Sequence, residues 1–151
     1  LIHLGILALL TPLPAMTAAE RKVSCELGKT VLADMPITSE AGRYIDTDSG
    51  QAGLLALCPE LAGKLPAGYR AADADARLRA SIHAPPLAGP RPPVAILYTI
   101  GLPEIDKDGR HAKLTLTTEC TGMCGSGMVY RYVRTSRGWR RDGPPSPLWV
   151  S

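Results

Sequence analysis

A chain of 151 residues with a net charge of +3 is long enough for one domain, or for one domain preceded by a removable segment. Its basic residues form no long run, which argues against a nucleic-acid partner, and its N-terminal apolar stretch falls short of the roughly 20 residues a membrane span needs. Phe is absent and aromatic residues make up 5% of the chain, so the core must come from Leu, Ile, Val and Ala, while 15 Gly and 14 Pro imply many loops.

The first expected element is a leader. Residues 1–19 contain no Asp, Glu, Lys or Arg, Ile6 to Leu10 form the densest apolar run, and Thr17-Ala18-Ala19 offers small residues for cleavage. Together these features read as a signal peptide over 1–19, with a single domain over 20–151. Pro12 and Pro14 argue against a buried helix there. A lipid anchor is not expected, because charged residues Glu20, Arg21 and Lys22 stand shortly before the first cysteine, Cys25. The mature domain is therefore expected to be periplasmic or secreted, with no membrane insertion once the leader is removed.

Arg21 to Leu32 fits a helix or a strand, and Pro36 and Thr38-Ser39 end it. Asp46-Thr47-Asp48-Ser49 supplies candidate N-caps for a helix in which Leu54, Leu57, Cys58 and Leu61 recur at helical spacing. Pro59 pushes Cys58 out of the helical region, so that helix should end near Leu57. Lys64 to Tyr69 reads as a loop. Ala71 to Ile82 suits a second helix, with Asp73 and Asp75 each four residues before Arg77 and Arg79. The alternation of Leu78, Ala80 and Ile82 permits a strand equally well.

A proline-rich connector runs from Pro85-Pro86 to Pro92-Pro93. Val94 to Ile100 is apolar on both faces and rich in β-branched residues, as in a central strand. Asp106-Lys107-Asp108-Gly109 is a turn into a hairpin over Ala112 to Thr135. With Cys120 opposite Cys124, Leu116 faces Met128, Leu114 faces Tyr130 and Ala112 faces Tyr132, which puts Leu116 in the core. The other face pairs Thr115 with Val129 and Lys113 with Arg131. A one-residue slip would set Leu114 against Arg131. Gly122, Gly125 and Gly127 are expected to supply positive φ at the turn. Trp139 begins a short strand, with Arg137, Arg140 and Arg141 around a half-buried ring, and Leu148-Trp149-Val150 closes the sheet. The class is α+β: an antiparallel β-meander in the C-terminal half, packed with one or two N-terminal helices.

The hairpin also carries a resemblance. Cys120-Thr121-Gly122-Met123-Cys124-Gly125-Ser126-Gly127, then Val129-Tyr130 and a terminal Pro147-Leu148-Trp149-Val150-Ser151, resemble the ending of a group of small uncharacterised bacterial exported proteins. Their pattern is Cys-Gly-x-x-Cys-Gly-x-Gly, a strand, a charged turn and a terminal Trp-x-Ser. Thr121 stands where glycine is usual. The resemblance covers about the last third of the chain and implies export and a hairpin, with no activity attached.

Four cysteines allow three connectivities, and neighbours in sequence favour Cys25–Cys58 with Cys120–Cys124. Structural bonds are the default in an oxidising compartment. Three chemistries compete. Thiol exchange usually needs Cys-x-x-Cys at a helix N-terminus, whereas the spacing here is Cys-x-x-x-Cys on a hairpin. Copper(I) would be drawn to Cys120, Cys124, Met123 and Met128, with His111 on the same strand, yet the register sends Met128 into the core and His111 to the far strand end. A Cys124 or Ser126 nucleophile lacks an oriented base: His83 lies in the connector and His111 has no assigned carboxylate. No cofactor fingerprint appears. The expectation is a small exported disulfide-containing domain without catalytic centre, metal or cofactor, acting as a binding or accessory module for an unknown partner. The alternative is a thiol-redox or copper(I)-handling protein using Cys120 and Cys124.

Overall fold

The computed structural model describes residues 15–48, 50–84 and 88–151. Most of the expected leader and the start of the proline-rich connector lie outside the described residues. Thr17 opens the first helix, α1 (Ala18–Ala33): its hydroxyl accepts from the Glu20 amide at 3.1 Å, and the Glu20 carboxylate accepts from the Thr17 amide at 2.7 Å. Residues 17–19, expected within the leader, form the cap and first turn of this helix. Arg21 to Leu32, ambiguous in sequence, is helical throughout. Its buried face carries Ser24, Cys25 and Gly28 as well as Leu27, Val31 and Leu32, so small residues dilute the apolar signal. Gly28 is small for a reason: a Cβ there would come within 2.6 Å of Leu61 Cδ1.

Leu61 belongs to the next layer. Helix α2 (Leu54–Leu57) is one turn long, between 3-10 turns at Gly50–Ala52 and Pro59–Lys64. Cys58, ahead of Pro59, leaves the helical region at φ −122°, ψ 67°. Helix α3 (Ala74–Ala80) is shorter than expected, because Arg70–Ala71 is drawn into the sheet. Asp75 pairs with Arg79 at 2.8 Å, as its spacing predicts. Asp73 does not pair with Arg77. Its carboxylate caps the helix through the Ala76 amide at 2.7 Å, and Arg77 reaches Asp46 instead, at 3.1 Å.

Among the described residues, eight strands form one mixed sheet: β1 (Arg43–Ile45), β2 (Arg70–Ala71), β3 (Ile96–Ile100), β4 (Glu104–Ile105), β5 (His111–Cys120), β6 (Ser126–Thr135), β7 (Gly138–Arg141) and β8 (Ser146–Val150). Their order is β2-β1-β3-β5-β6-β7, with β4 beside β5 and β8 beside β6. The α+β class holds in this form, with most of the sheet in the C-terminal half. The meander is extended, however: β1 runs parallel to both β2 and β3. Strands of three and two residues are too short to show a period of two, which is why the sequence conceals them.

The pleat assigns the two faces. On the inner face, Ile45, Ile100, Leu114, Tyr132 and Trp139 pack against α1 and α2. On the outer face, Tyr44 and Leu97 meet Ala76 and Ala80 of α3. In the hairpin, Ala112 pairs with Tyr132, Lys113 with Arg131, Leu114 with Tyr130, and Leu116 with Met128, the register the apolar pattern demands. Burial fades along it. Ala112, Leu114 and Tyr132 are buried, whereas Leu116, Met128 and Tyr130 are half-buried. The chain leaving α1 at Met35-Pro36 covers that end incompletely, with a shallow groove between it and Leu116. Leu116 therefore sits at the margin of the core.

Candidate functional site

Cys25 and Cys58 are joined as a disulfide, Cα–Cα 5.7 Å, and both are buried where α1 meets α2. Cys120 and Cys124 are joined across the hairpin turn, Cα–Cα 5.8 Å. The second pair is asymmetric: Cys120 is buried and Cys124 exposed. Two disulfides point to an oxidising compartment.

The turn they bracket is anchored to two other elements. The Thr121 hydroxyl donates to the Arg79 carbonyl at 2.9 Å and accepts from the Ala95 amide at 3.0 Å, while the Thr121 amide donates to the Ala95 carbonyl at 3.0 Å. Arg79 lies in the last turn of α3, where its carbonyl accepts from the Ile82 amide at 3.2 Å, and Thr121 adds a second donor from outside the helix. The Gly122 amide donates to the Ile82 carbonyl at 2.8 Å, and the Gly122 carbonyl accepts from His83 Nδ1 at 3.1 Å. An apolar cavity of about 270 Å³ opens beside the turn, bounded by Ile82, Val94, Thr121 and Gly122 with Arg91 at its side.

The three turn glycines divide into two kinds. Gly122 has φ +98°, as a tight turn requires. Gly125 and Gly127 do not adopt positive φ; they clear space for Trp149. The pyrrole side of the indole lies over Gly127, and its benzo side over Gly125, where an added Cβ would meet Cζ3 at 3.1 Å. Ser151 fastens the arrangement: its amide donates to the Gly125 carbonyl at 2.9 Å, and its hydroxyl accepts from the Gly125 amide at 3.0 Å. The glycines after Cys124 and the terminal Trp-x-Ser are thus one contact. Trp149 is still 42% exposed, because only one ring face is covered.

Further along the outer face, a cleft of about 230 Å³ lies between Leu102, Thr115, Val129 and Leu148. A β-bulge where β8 pairs with Gly127 and Met128 inserts the extra residue that brings Leu148 to this cleft. Its charged residues are Glu104, Lys113 and Arg131. Lys113 Nζ is 2.9 Å from Glu104, while Arg131 donates to the Ser146 hydroxyl at 2.7 Å and has no carboxylate partner among the described residues.

The remaining sequence candidates are scattered. Met123 is exposed at the turn, Met128 is half-buried within β6, and Ser126 pairs with Thr118 in the ladder. His111 begins β5 and Cys120 ends it, so the strand separates them. His111 does have a carboxylate: Nδ1 is 3.1 Å from Asp108 Oδ2. The Arg110 amide first, and then His111, hold the Asp108 carboxyl below its ordinary pKa. This pair is exposed and far along the strand from Cys124, so it orients no nucleophile. His83 is exposed, as expected of a surface residue, and lies at the turn, its Nδ1 3.1 Å from the Gly122 carbonyl. Trp139 is buried, not half-buried, beneath the Arg134 guanidinium at 5.8 Å, which also pairs with Glu26 of α1 at 3.0 Å. Arg141 stacks on Tyr130 at 4.7 Å.

Sequence pattern did not reveal the platform formed by Trp149 or the anchoring role of Thr121. The only signal for either was their place in the resemblance, Trp149 as part of its ending and Thr121 as its departure. No helix among the described residues is long and apolar enough to cross a membrane. No protein-family model, no curated protein and no solved structure matches this chain.

Proposed function

We propose that this chain is an exported, disulfide-stapled binding module of the bacterial envelope or its surroundings, with no catalytic step of its own. Its binding face is the outer surface of the sheet where the Cys120–Cys124 turn and the C-terminal strand converge. One observation carries this reading: a Trp ring laid over two glycines, latched by Ser151 and left 42% exposed. Covering the glycines accounts for one ring face; the other is presented to solvent. The leader, the two disulfides and the resemblance of the last third to exported proteins support the compartment.

Expression with residues 1–19 in a bacterial host, followed by intact-mass analysis and sedimentation with isolated cell envelopes, tests the proposal. Loss of the leader at or near Ala19, no free thiols, and co-sedimentation that Trp149→Ala abolishes are the expected results. A cytoplasmic product that retains 1–19, or sedimentation indifferent to Trp149, would sink it.

A thiol-exchange reading rests on a separate observation, the exposure of Cys124 beside buried Cys120. Thiol counting on the native protein separates the two: a pair that resists mild reductant is structural, and one that cycles under it, or binds copper(I) when reduced, is not.

A further inference from the structure

Resting on the binding reading above, we propose that the outer face takes an acidic saccharide, with one pyranose ring stacked on Trp149 and a carboxylate of a later unit paired with Arg131. The indole face carries partial negative charge, and the C–H-bearing face of a pyranose is slightly positive, so the two attract as well as bury apolar surface. Gly125 and Gly127 seat the ring flat against β6, and Ser151 fixes the strand that bears it, so stacking costs little reorganisation.

The cleft next to this platform has the mixed chemistry a sugar needs. Lys113 and Arg131 donate, the Glu104 carboxylate accepts, and the Thr115 hydroxyl does both. At about 230 Å³ it is just below the small-ligand range of roughly 300–1,000 Å³, room for one ring at a time. Charge selects the ligand's sign. Lys113 and Glu104 neutralise each other at 2.9 Å, and Arg131 is left as the cation whose planar fork suits a carboxylate.

Geometry selects its length. Gly127, Val129 and Arg131 all point to the outer face; at a strand rise of roughly 3.3 Å per residue the backbones of Gly127 and Arg131 stand about 13 Å apart, and the Arg131 guanidinium turns back to Ser146, opposite Val129. An oligosaccharide lying along β6 stacks one unit on Trp149 and carries a later unit to that guanidinium.

The test is a titration of the isotope-labelled full chain, followed by amide and indole NMR shifts. The probes are trigalacturonate, neutral maltotriose and the acidic peptide Glu-Glu-Glu. Trigalacturonate should shift the Gly127, Thr115 and Val129 amides and the Trp149 indole saturably, leaving the indole of buried Trp139 in place. Maltotriose should bind at least tenfold more weakly, and the peptide should leave Trp149 unmoved. Arg131→Gln should reduce trigalacturonate to the level of maltotriose. Trp149→Ala should abolish both sugars. Should that variant lose its fold, Trp149→Phe, which keeps a ring over the glycines, should weaken both several-fold.

Equal binding of trigalacturonate and maltotriose would overturn the acidic assignment. Peptide binding as tight as that of the sugar would overturn the saccharide. So would a face that neither sugar perturbs at millimolar concentration. In each of these cases, Trp149-dependent sedimentation with envelopes would leave the broader binding reading standing, and its loss would remove both.

Discussion

The hydroxyl of Thr121 lies 2.9 Å from the carbonyl oxygen of Arg79, and through that bond the hairpin turn closes the open end of α3. The same oxygen accepts from the Ala95 amide, so one side chain ties three segments together. Thr121→Val keeps the shape and removes both bonds. It leaves the Ala95 amide unsatisfied at a partly buried site and strips the Arg79 carbonyl to its bond from the Ile82 amide at 3.2 Å, at a cost of about 1–3 kcal/mol. Thr121→Ser should recover most of this. Urea denaturation of the oxidised protein measures both, and equal midpoints for Val and Thr would show that the hydroxyl anchors nothing.

Leu114 and Leu116 share a strand face but not an environment. Both line the groove beside Met35, yet Leu114 is 3% exposed whereas Leu116 is half-buried. Leu114→Ala should cost about 2–5 kcal/mol, the range for a buried leucine, and Leu116→Ala roughly half as much. Thr117→Ala, on the outer face, should stay within about 0.5 kcal/mol of the parent. A larger loss at Leu116 than at Leu114 would mean that α1 covers the hairpin differently.

The disulfides should separate in both stability and reactivity. Cys25–Cys58 spans 33 residues and Cys120–Cys124 spans 4. In the chain-entropy model the longer link contributes about 3–4 kcal/mol and the shorter about 2 kcal/mol. Paired Cys→Ala variants compared by denaturation should show that order. Limiting dithiothreitol, followed by alkylation and peptide mapping, should label Cys120 and Cys124 first, because a reductant can reach Cys124 directly. Earlier labelling of Cys25 or Cys58 would contradict the burial seen at α1 and α2.

Tyr132 makes stability depend on alkaline pH. Burial first, then the Asp34 charge, push its phenol up to about 12. The folded pKa exceeds the unfolded value near 10, so the unfolded chain gives up the proton first. The contribution is complete below about pH 10 and is lost as pH rises towards 12, a change of about 2–3 kcal/mol. Denaturation midpoints at pH 9 and pH 11 should differ in the parent protein. The difference should shrink in Tyr132→Phe; an unchanged pH response in that variant would place the titration elsewhere.

Local pattern was sufficient for the elements whose own side chains report their burial. The alternation through Leu114, Leu116, Met128 and Tyr130 sets the hairpin register, since a slip would turn Leu114 towards Arg131. Val94 to Ile100 reads as a strand because both faces are apolar; the structure makes Ile96 to Ile100 the strand, covered by α1 and α2 on one side and α3 on the other, and leaves Val94 exposed before it. Pro59 ends α2 by sterics that need no neighbour. Tertiary structure alone decided the rest. β1 is a strand only because β3 offers it a parallel edge, and β2 only because β1 then offers the next one. Thr121 is an anchor only because Arg79 and Ala95 arrive beside it, and Gly127 must be glycine only because Trp149 comes to lie on it. Periodicity records how a segment faces its own core; close approach between segments distant in sequence is chosen when the whole chain packs, and the binding face is made of such approaches.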